Sequence, residues 1–321
     1  MNAFRCLLLL ACAVLFPSLA GAQAYPARPL RMIIPFPPGG PTDLMGRMAA
    51  DRLSRGLGVQ VIPDNRGGAG GNIGFELCAK SPPDGYTVCM MTVAQSISPG
   101  IYRKLGYDLE KDFSFVTLMA TLPSMLTTHP SFPAKNVEDV IAIAKSRPGQ
   151  IIYSSTGNGT SPHMLMEMFK YMAGVDMVHV PYKGQAQSVI DQISGQIQLA
   201  FNTAVTVLPQ VKEKKLKPIA ISTRERFPPM PDLQTVEEGG VKGYDGSSWQ
   251  GVVMPAGTPR EIVARVYQEL ATMLKAPEMR ERFLAQGALA SGMPPEEFAG
   301  FVKREAEKWG KVAKAAGVTV D

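Results

Sequence analysis

The chain has 321 residues, of which 45% are hydrophobic and 19% charged, and its formal net charge is +5. That length exceeds what a single core usually fills, so two domains are expected. The basic residues are scattered, with Lys212, Lys214, Lys215 and Lys217 the densest group, which excludes the clustered footprint of a nucleic-acid binder.

Residues 1–24 read as a leader. Arg5 supplies a short positive region, the run from Cys6 to Phe16 is apolar, and Ala22-Gln23-Ala24 fits small-x-small cleavage. The mature chain is therefore expected to be exported, soluble and to begin at Tyr25. No later stretch is long and apolar enough to cross a bilayer. The 27 prolines punctuate structured segments and form no low-complexity tract.

Leu30 to Ile34 reads as the first strand, and the run Ile33 to Asp43 then breaks into Pro and Gly before a helix begins. Leu44, Met48 and Leu53 recur at helical spacing to Leu57. Val59 to Ile62 is a short strand. Arg66 to Gly74 is a glycine loop entering a helix at Phe75 to Lys80, and Tyr86 to Met91 is a third strand. Strand, helix and strand at this pace predict a parallel sheet covered by helices. Val116 to Thr127 is apolar and extended. A second βα series follows, with a helix at Val137 to Ser146, a strand at Ile151, a helix from His163 to Met172 and short elements on to Ile221. Gly246 to Met254 carries the chain back. Helices are predicted from Arg260 to Leu274, Met279 to Gln286, and Pro295 to Ala315, where Phe298, Val302, Ala306 and Trp309 share a face.

Two strand–glycine–helix junctions stand out, Ile33 to Asp43 and Ile151 to His163. Proline suits a first helical turn and glycine permits the tight entry. Each junction leaves backbone N–H groups at the positive end of a helix, a ready anion site. Both lie beyond strand carboxyl ends, where open α/β sheets bind ligands. Facing each other, and with the hydroxyls of Thr42, Thr160 and Ser161, they would clamp a carboxylate. A phosphate cofactor does not fit, since neither loop ends in Gly-Lys-Ser/Thr and the glycines of 67–74 miss the dinucleotide spacing. No Gly-x-Ser-x-Gly elbow is present. His163 and Glu167 sit one helical turn apart, which suits a helical pair better than a metal site. No catalytic residue, metal or cofactor is assigned. Cys78 and Cys89 are either a disulfide, which an oxidising compartment permits, or two small buried side chains.

The chain resembles the Bordetella uptake gene family, the extracytoplasmic solute receptors of tripartite tricarboxylate transporters. The likeness runs through "PFPPGGPTD" with Arg47, "NRGGAGGNIG", "PPDGYT", "YSSTGNGTSPH" with Glu167, "VPYKG", "SWQG", "PAGTP" and Phe298 to Trp309. Cys78 and Cys89 stand where the family is often aliphatic, so it says nothing about a bridge between them.

The resemblance implies an α/β, two-lobed periplasmic-binding-protein fold, type II-like, each lobe a mainly parallel sheet flanked by helices. The expected division is 25–124 plus 246–321 for lobe 1 and 125–245 for lobe 2. It implies ligand contacts from Phe36, Gly40, Thr42 and Asp43 in the first lobe and from Ser155, Gly159, Thr160 and His163 in the second, partly through bridging waters. Thr92, Ala94 and Asn202 follow strand ends and are expected to complete the variable end of the pocket. Trp249 is read equally as a pocket wall or as core, and Lys183 as a loop residue rather than a counter-charge. The implied function is capture of a small organic carboxylate (an amino acid, a di- or tricarboxylate or an aromatic acid) by a periplasmic monomer that serves a membrane transporter. A sensor module serving a membrane kinase is the alternative, and a carboxylate-processing enzyme the rival of another class.

Overall fold

The computed structural model describes residues 25–320, so the leader expected at residues 1–24 lies outside the described residues. In chain order the elements are β1 (Leu30–Ile34), α1 (Pro41–Leu57), β2 (Val61–Asn65), α2 (Asn72–Ala79), β3 (Thr87–Thr92), α3 (Val93–Ile101) and β4 (Phe113–Leu122). Then come β5 (Ser124–Thr128), α4 (Val137–Ser146), β6 (Ile152–Ser155), α5 (Ser161–Ala173), β7 (Val178–Pro181), α6 (Gln185–Ile193), β8 (Leu199–Thr203), α7 (Ala204–Lys212) and β9 (Lys217–Ile221). The chain closes with β10 (Ser248–Pro255), α8 (Arg260–Lys275), α9 (Pro277–Ala285), β11 (Leu289–Met293) and α10 (Pro295–Ala316).

Two lobes result, each with its own sheet. One sheet has the order β11-β4-β10-β3-β1-β2 and the other β7-β6-β8-β5-β9. Parallel pairing joins β1 to β2 and β3, and β6 to β7 and β8. Pairing is antiparallel wherever β10, β11 or β5 takes part, so the sheets are mixed. The apolar run expected as one extended segment is two strands in different sheets. Pro123 separates them, and a residue without an N–H cannot carry a ladder on. The two crossings between lobes are tied together. Ser222 Oγ accepts from the Ser124 N–H at 3.1 Å, and the Ser222 carbonyl accepts from the Gly246 N–H at 2.9 Å.

Helix α1 forms because Met45, Ala49, Leu53 and Leu57 fall on one buried stripe, and it stops at Gly58 in a left-handed conformation, φ 72°. The second strand begins two residues later than Val59, the start that composition suggests. Helix α3 is an element the sequence analysis did not predict, although Thr92-Val93-Ala94-Gln95 is a capping-box pattern. Its start is held by a reciprocal cap: Thr92 Oγ1 accepts from the Ala94 N–H at 3.2 Å and Gln95 Oε1 accepts from the Thr92 N–H at 2.9 Å. Strand β11 was equally hidden, since Leu289–Met293 becomes a strand only by pairing with β4.

Helix α10 buries Phe298, Val302, Trp309 and Ala313. One continuous core holds these together with Ile97 and Trp249 beside the first sheet and Phe169 and Phe201 beside the second. Each large side chain so buried contributes about 1.5–3 kcal/mol. The C-terminal helix therefore fastens the two lobes from behind, leaving their opposite faces to form a cleft.

Candidate functional site

A cleft of about 580 Å³ is lined from both lobes. Five helices begin on it. Their N-cap residues are Gly40 for α1, Thr92 for α3, Thr160 for α5, Gly184 for α6 and Thr203 for α7, and all five line the cleft. Each helix start carries a partial positive charge of roughly half a unit. In the first turns of α1 and α5 the N–H groups of Thr42, Asp43, Ser161 and His163 have no acceptor within their helices. The lining holds no acidic side chain, and Lys183 is its one charged residue. Phe36, Pro37, Pro38, Val93, Ala94 and Pro162 make much of the wall apolar.

On the first lobe, Pro41 opens α1, Gly40 before it is extended, and Gly39 turns with φ 87°. Asp43 braces this loop. Its carboxylate accepts from the Gly39 N–H, Arg47 Nε and Asn65 Nδ2, each at 3.0 Å, while Asn65 Nδ2 also reaches the Phe36 carbonyl at 2.9 Å. Burial pushes the Asp43 carboxyl up, but the hydrogen bonds from Arg47, Gly39 and Asn65 and the Arg47 charge outweigh it. The carboxyl lies below its usual range. Thr42 faces the cleft, and its Oγ1 accepts from Gln250 Nε2 at 3.2 Å. Gln250 and Ser248 line the cleft from β10, whereas Trp249 between them points to the other face. Trp249 is fully buried, edge-on to Phe298 and Phe301, with Nε1 donating to Glu305 at 3.1 Å. It belongs to the core.

On the second lobe, Thr160 is the N-cap of α5, and Ser161 and Pro162 open its first turn. The Thr160 hydroxyl donates to the Gly157 carbonyl at 2.7 Å, folding the loop on itself. Ser161 Oγ lines the cleft side of the helix start, buried and without a hydrogen-bond partner. Behind the loop the rings of Tyr153, His179 and His163 stack with centroids 4.9 and 4.2 Å apart. His163 Nδ1 accepts from the Gly159 N–H at 3.2 Å, and His179 Nε2 lies 2.6 Å from Ser155 Oγ. Burial above all, eased by Glu167 and reinforced by Lys170, lowers His163 to about 4, and burial together with the charges of His163 and Lys170 lowers His179 to about 3.

Of the residues proposed from sequence, Phe36, Gly40, Thr42, Thr92, Ala94 and Thr160 line the cleft. Asp43, Ser155, Gly159, His163 and Asn202 stand one layer behind it and shape the loops. Asn202 Nδ2 donates to Thr127 Oγ1 at 3.0 Å and to Gln192 Oε1 at 2.9 Å, and its Oδ1 accepts from Gln185 Nε2 at 3.2 Å. Gln185, Thr203, Ser248 and Gln250 line the cleft and were not singled out. The alternation along β10 could have found the last two, because "SWQG" places Ser248 and Gln250 opposite Trp249. Cys78 and Cys89 are joined by a disulfide that ties α2 to β3, away from the cleft.

A two-lobed α/β protein that turns five helix starts and no acid toward one cleft belongs to the class of solute-binding receptors for anions. The chain belongs to the tripartite tricarboxylate transporter family receptors, whose family model matches residues 45–318. It is similar to the R. palustris protein Rpa4515 with adipate at 35% identity and a TM-score of 0.89, covering 92% of this chain and 99% of that one. MatC from Rhodopseudomonas palustris with bound malate has 28% identity and a TM-score of 0.85, covering 90% and 99%. Protein BugT of Bordetella pertussis is 32% identical over 92% of this chain and 91% of its own. Residues 25–44 precede the family match and contribute β1 and most of the first loop of the cleft.

Proposed function

We propose that this receptor grips a ligand carboxylate between the starts of α1 and α5, with the Thr42 and Ser161 hydroxyls as donors, and closes on it. The observation that carries this reading is the meeting of five N-caps on a cleft with no acidic side chain. An anion there gains from several first-turn N–H groups at once without a fixed arginine. The protein is an extracytoplasmic carboxylate-binding receptor of a tripartite tricarboxylate-type transporter and works in the periplasm.

In this reading the division 25–124 with 246–321, and 125–245, describes the moving bodies. They hinge at the tied crossings around Pro123 and Ser222, and the protein acts as a monomer. The membrane partner recognises the closed form, because only a difference between states can report occupancy. Adipate in one relative and malate in another support a carboxylate as ligand. The test is a thermal-shift screen of mono-, di- and tricarboxylates, since a ligand that binds only the folded state raises the melting temperature. A screen with no shift from any acid would overturn the carboxylate reading.

A further inference from the structure

Both lobes also line a second hollow, away from the ligand cleft. This groove of about 1010 Å³ is walled by α1, α8 and α9 of the first lobe and by α7 of the second. The lobes touch beside it. Gly287, which follows α9, has φ 91°, and a Cβ added there would lie 3.0 Å from the Val205 backbone nitrogen and 3.1 Å from the Ala204 Cβ. Val205 itself packs on the core of the first lobe. Helices α1 and α7, one from each lobe, are also two of the five that begin on the ligand cleft, at Gly40 and Thr203. The same two helices therefore present their starts to the cleft and their sides to the groove. A movement of one lobe against the other changes both at once.

The lining has the chemistry of a recognition surface. Leu44 is 51% exposed and lines the groove together with the half-buried Met48, Met273 and Met279. Unbranched thioether side chains repack readily against the apolar surface of a partner. The charges are uneven. Arg47, Arg52 and Arg55 on α1 are tied to Asp43, Glu269 and Asp51. Lys212 on α7 and Arg282 on α9 are exposed, and among the described residues neither has an acidic partner. An apolar groove with an uncommitted cation from each lobe is complementary to an amphipathic helix that carries acidic residues beside its apolar face. Its concavity suits a helix better than the flat face of a bilayer.

We propose that this groove seats a helical segment of the membrane partner, apolar toward Leu44 and the methionines and acidic toward Lys212 and Arg282. One cation comes from each lobe, so the segment meets both only at one separation of the lobes. The groove thereby reports the state of the cleft to a partner that never touches the ligand. This deepens the transporter-receptor reading by placing the contact with the membrane subunits. Docking is measured without any carboxylate, so its failure is distinguishable from failure of the carboxylate reading.

The test is binding of the protein to lipid vesicles that carry the membrane subunits of its transporter, with bare vesicles of the same lipids as reference. Ala204→Cys with Gly287→Cys, oxidised, bridges the lobes beside the groove after a slight shift, and Gly287→Cys alone is the unbridged control. The bridged protein is expected to bind loaded vesicles at least about tenfold more tightly than the unbridged one, and neither to bind bare lipid. In the bridged protein, Lys212→Glu with Arg282→Glu is expected to abolish that gain, as is Leu44→Glu, with melting temperatures unchanged. Lys145→Glu with Lys311→Glu, the same charge change at exposed positions outside the groove, is expected to retain it. Undiminished binding by the Lys212→Glu, Arg282→Glu protein would overturn the groove as the docking site. Equal binding by bridged and unbridged proteins would overturn its dependence on lobe separation. Equal binding to bare and loaded vesicles would assign the surface to lipid, and self-association abolished by Leu44→Glu would assign it to a second copy; either overturns the proposal.

Discussion

Gln250 Nε2 donates to Thr42 Oγ1 at 3.2 Å, a contact between residues 208 positions apart that joins β10 to the first turn of α1. Because the threonine oxygen accepts there, its own hydrogen is directed elsewhere, and the cleft is where it finds an acceptor. Substituting Thr42→Val removes that donor at nearly constant volume. Binding of a carboxylate is expected to weaken about 10- to 100-fold, the range for a hydrogen bond to a charged group. Unchanged affinity by calorimetry would remove Thr42 from the site.

Gly70 is one of the points where the first lobe meets the loop at Gly157 to His163. It has φ 65°, and an added Cβ would lie 2.9 Å from the Asn158 carbonyl oxygen. Gly70→Ala should therefore cost affinity by opposing closure as well as stability through strain of about 1 kcal/mol. Gly58 provides the control, because its φ is 72° and nothing lies within 4 Å of its added Cβ. Gly58→Ala is expected to lower the melting temperature similarly and leave affinity alone. Equal affinities for the two variants would show that the loops do not approach further on binding.

The stacked histidines set a pH dependence of stability. Both are held neutral in the fold, His163 at about 4 and His179 at about 3, whereas the unfolded chain titrates near 6.5. Between these values the unfolded state binds more protons, so stability rises with pH and is complete above about 6.5. As pH falls from 6.5 toward 4 the melting temperature should drop. His163→Asn keeps an acceptor near the Nδ1 position for the Gly159 N–H and removes one titrating group. Its melting temperature is expected to fall less steeply across that window, and parallel slopes would refute the assignment.

The bridge between Cys78 and Cys89 closes a short loop with a sequence separation of 11, both ends fully buried. The double change to alanine should cost about 2–3 kcal/mol in urea unfolding, chiefly by freeing the unfolded chain. Ligand affinity should not move, since neither residue lines the cleft. A variant as stable as the oxidised protein would remove the bridge from the account of stability.

Much of the fold is legible in the chain because its signals are local. The β-branched run at Leu30 to Ile34, the helical spacing of apolar residues up to Leu57, and the Pro and Gly at both helix entries act within one or two turns, although the buried stripe runs through Met45 and Leu53 while Leu44, counted on it from spacing, is exposed. Strand β11 could not be read because it is made by pairing with β4; helix α3 did carry a local signal, the Thr92-Val93-Ala94-Gln95 capping box, which the apolar strand before it obscured. The extended run around Pro123 looked like one strand because nothing local says which sheet each half joins.

The sequence by itself determined that two glycine-led helix starts recur in two βα series, and the chemistry of those loops points to a carboxylate. Which side chains line the cleft was decided only by the tertiary structure. Asp43 and His163 have polar side chains suited to a ligand, yet their hydrogen bonds hold the loops. Lys183, which reads as a loop residue, is left without a counter-charge on the cleft wall. The reason is physical: a polar group is available to a ligand only when no nearer protein group has claimed it, and proximity between residues 208 apart is created by folding.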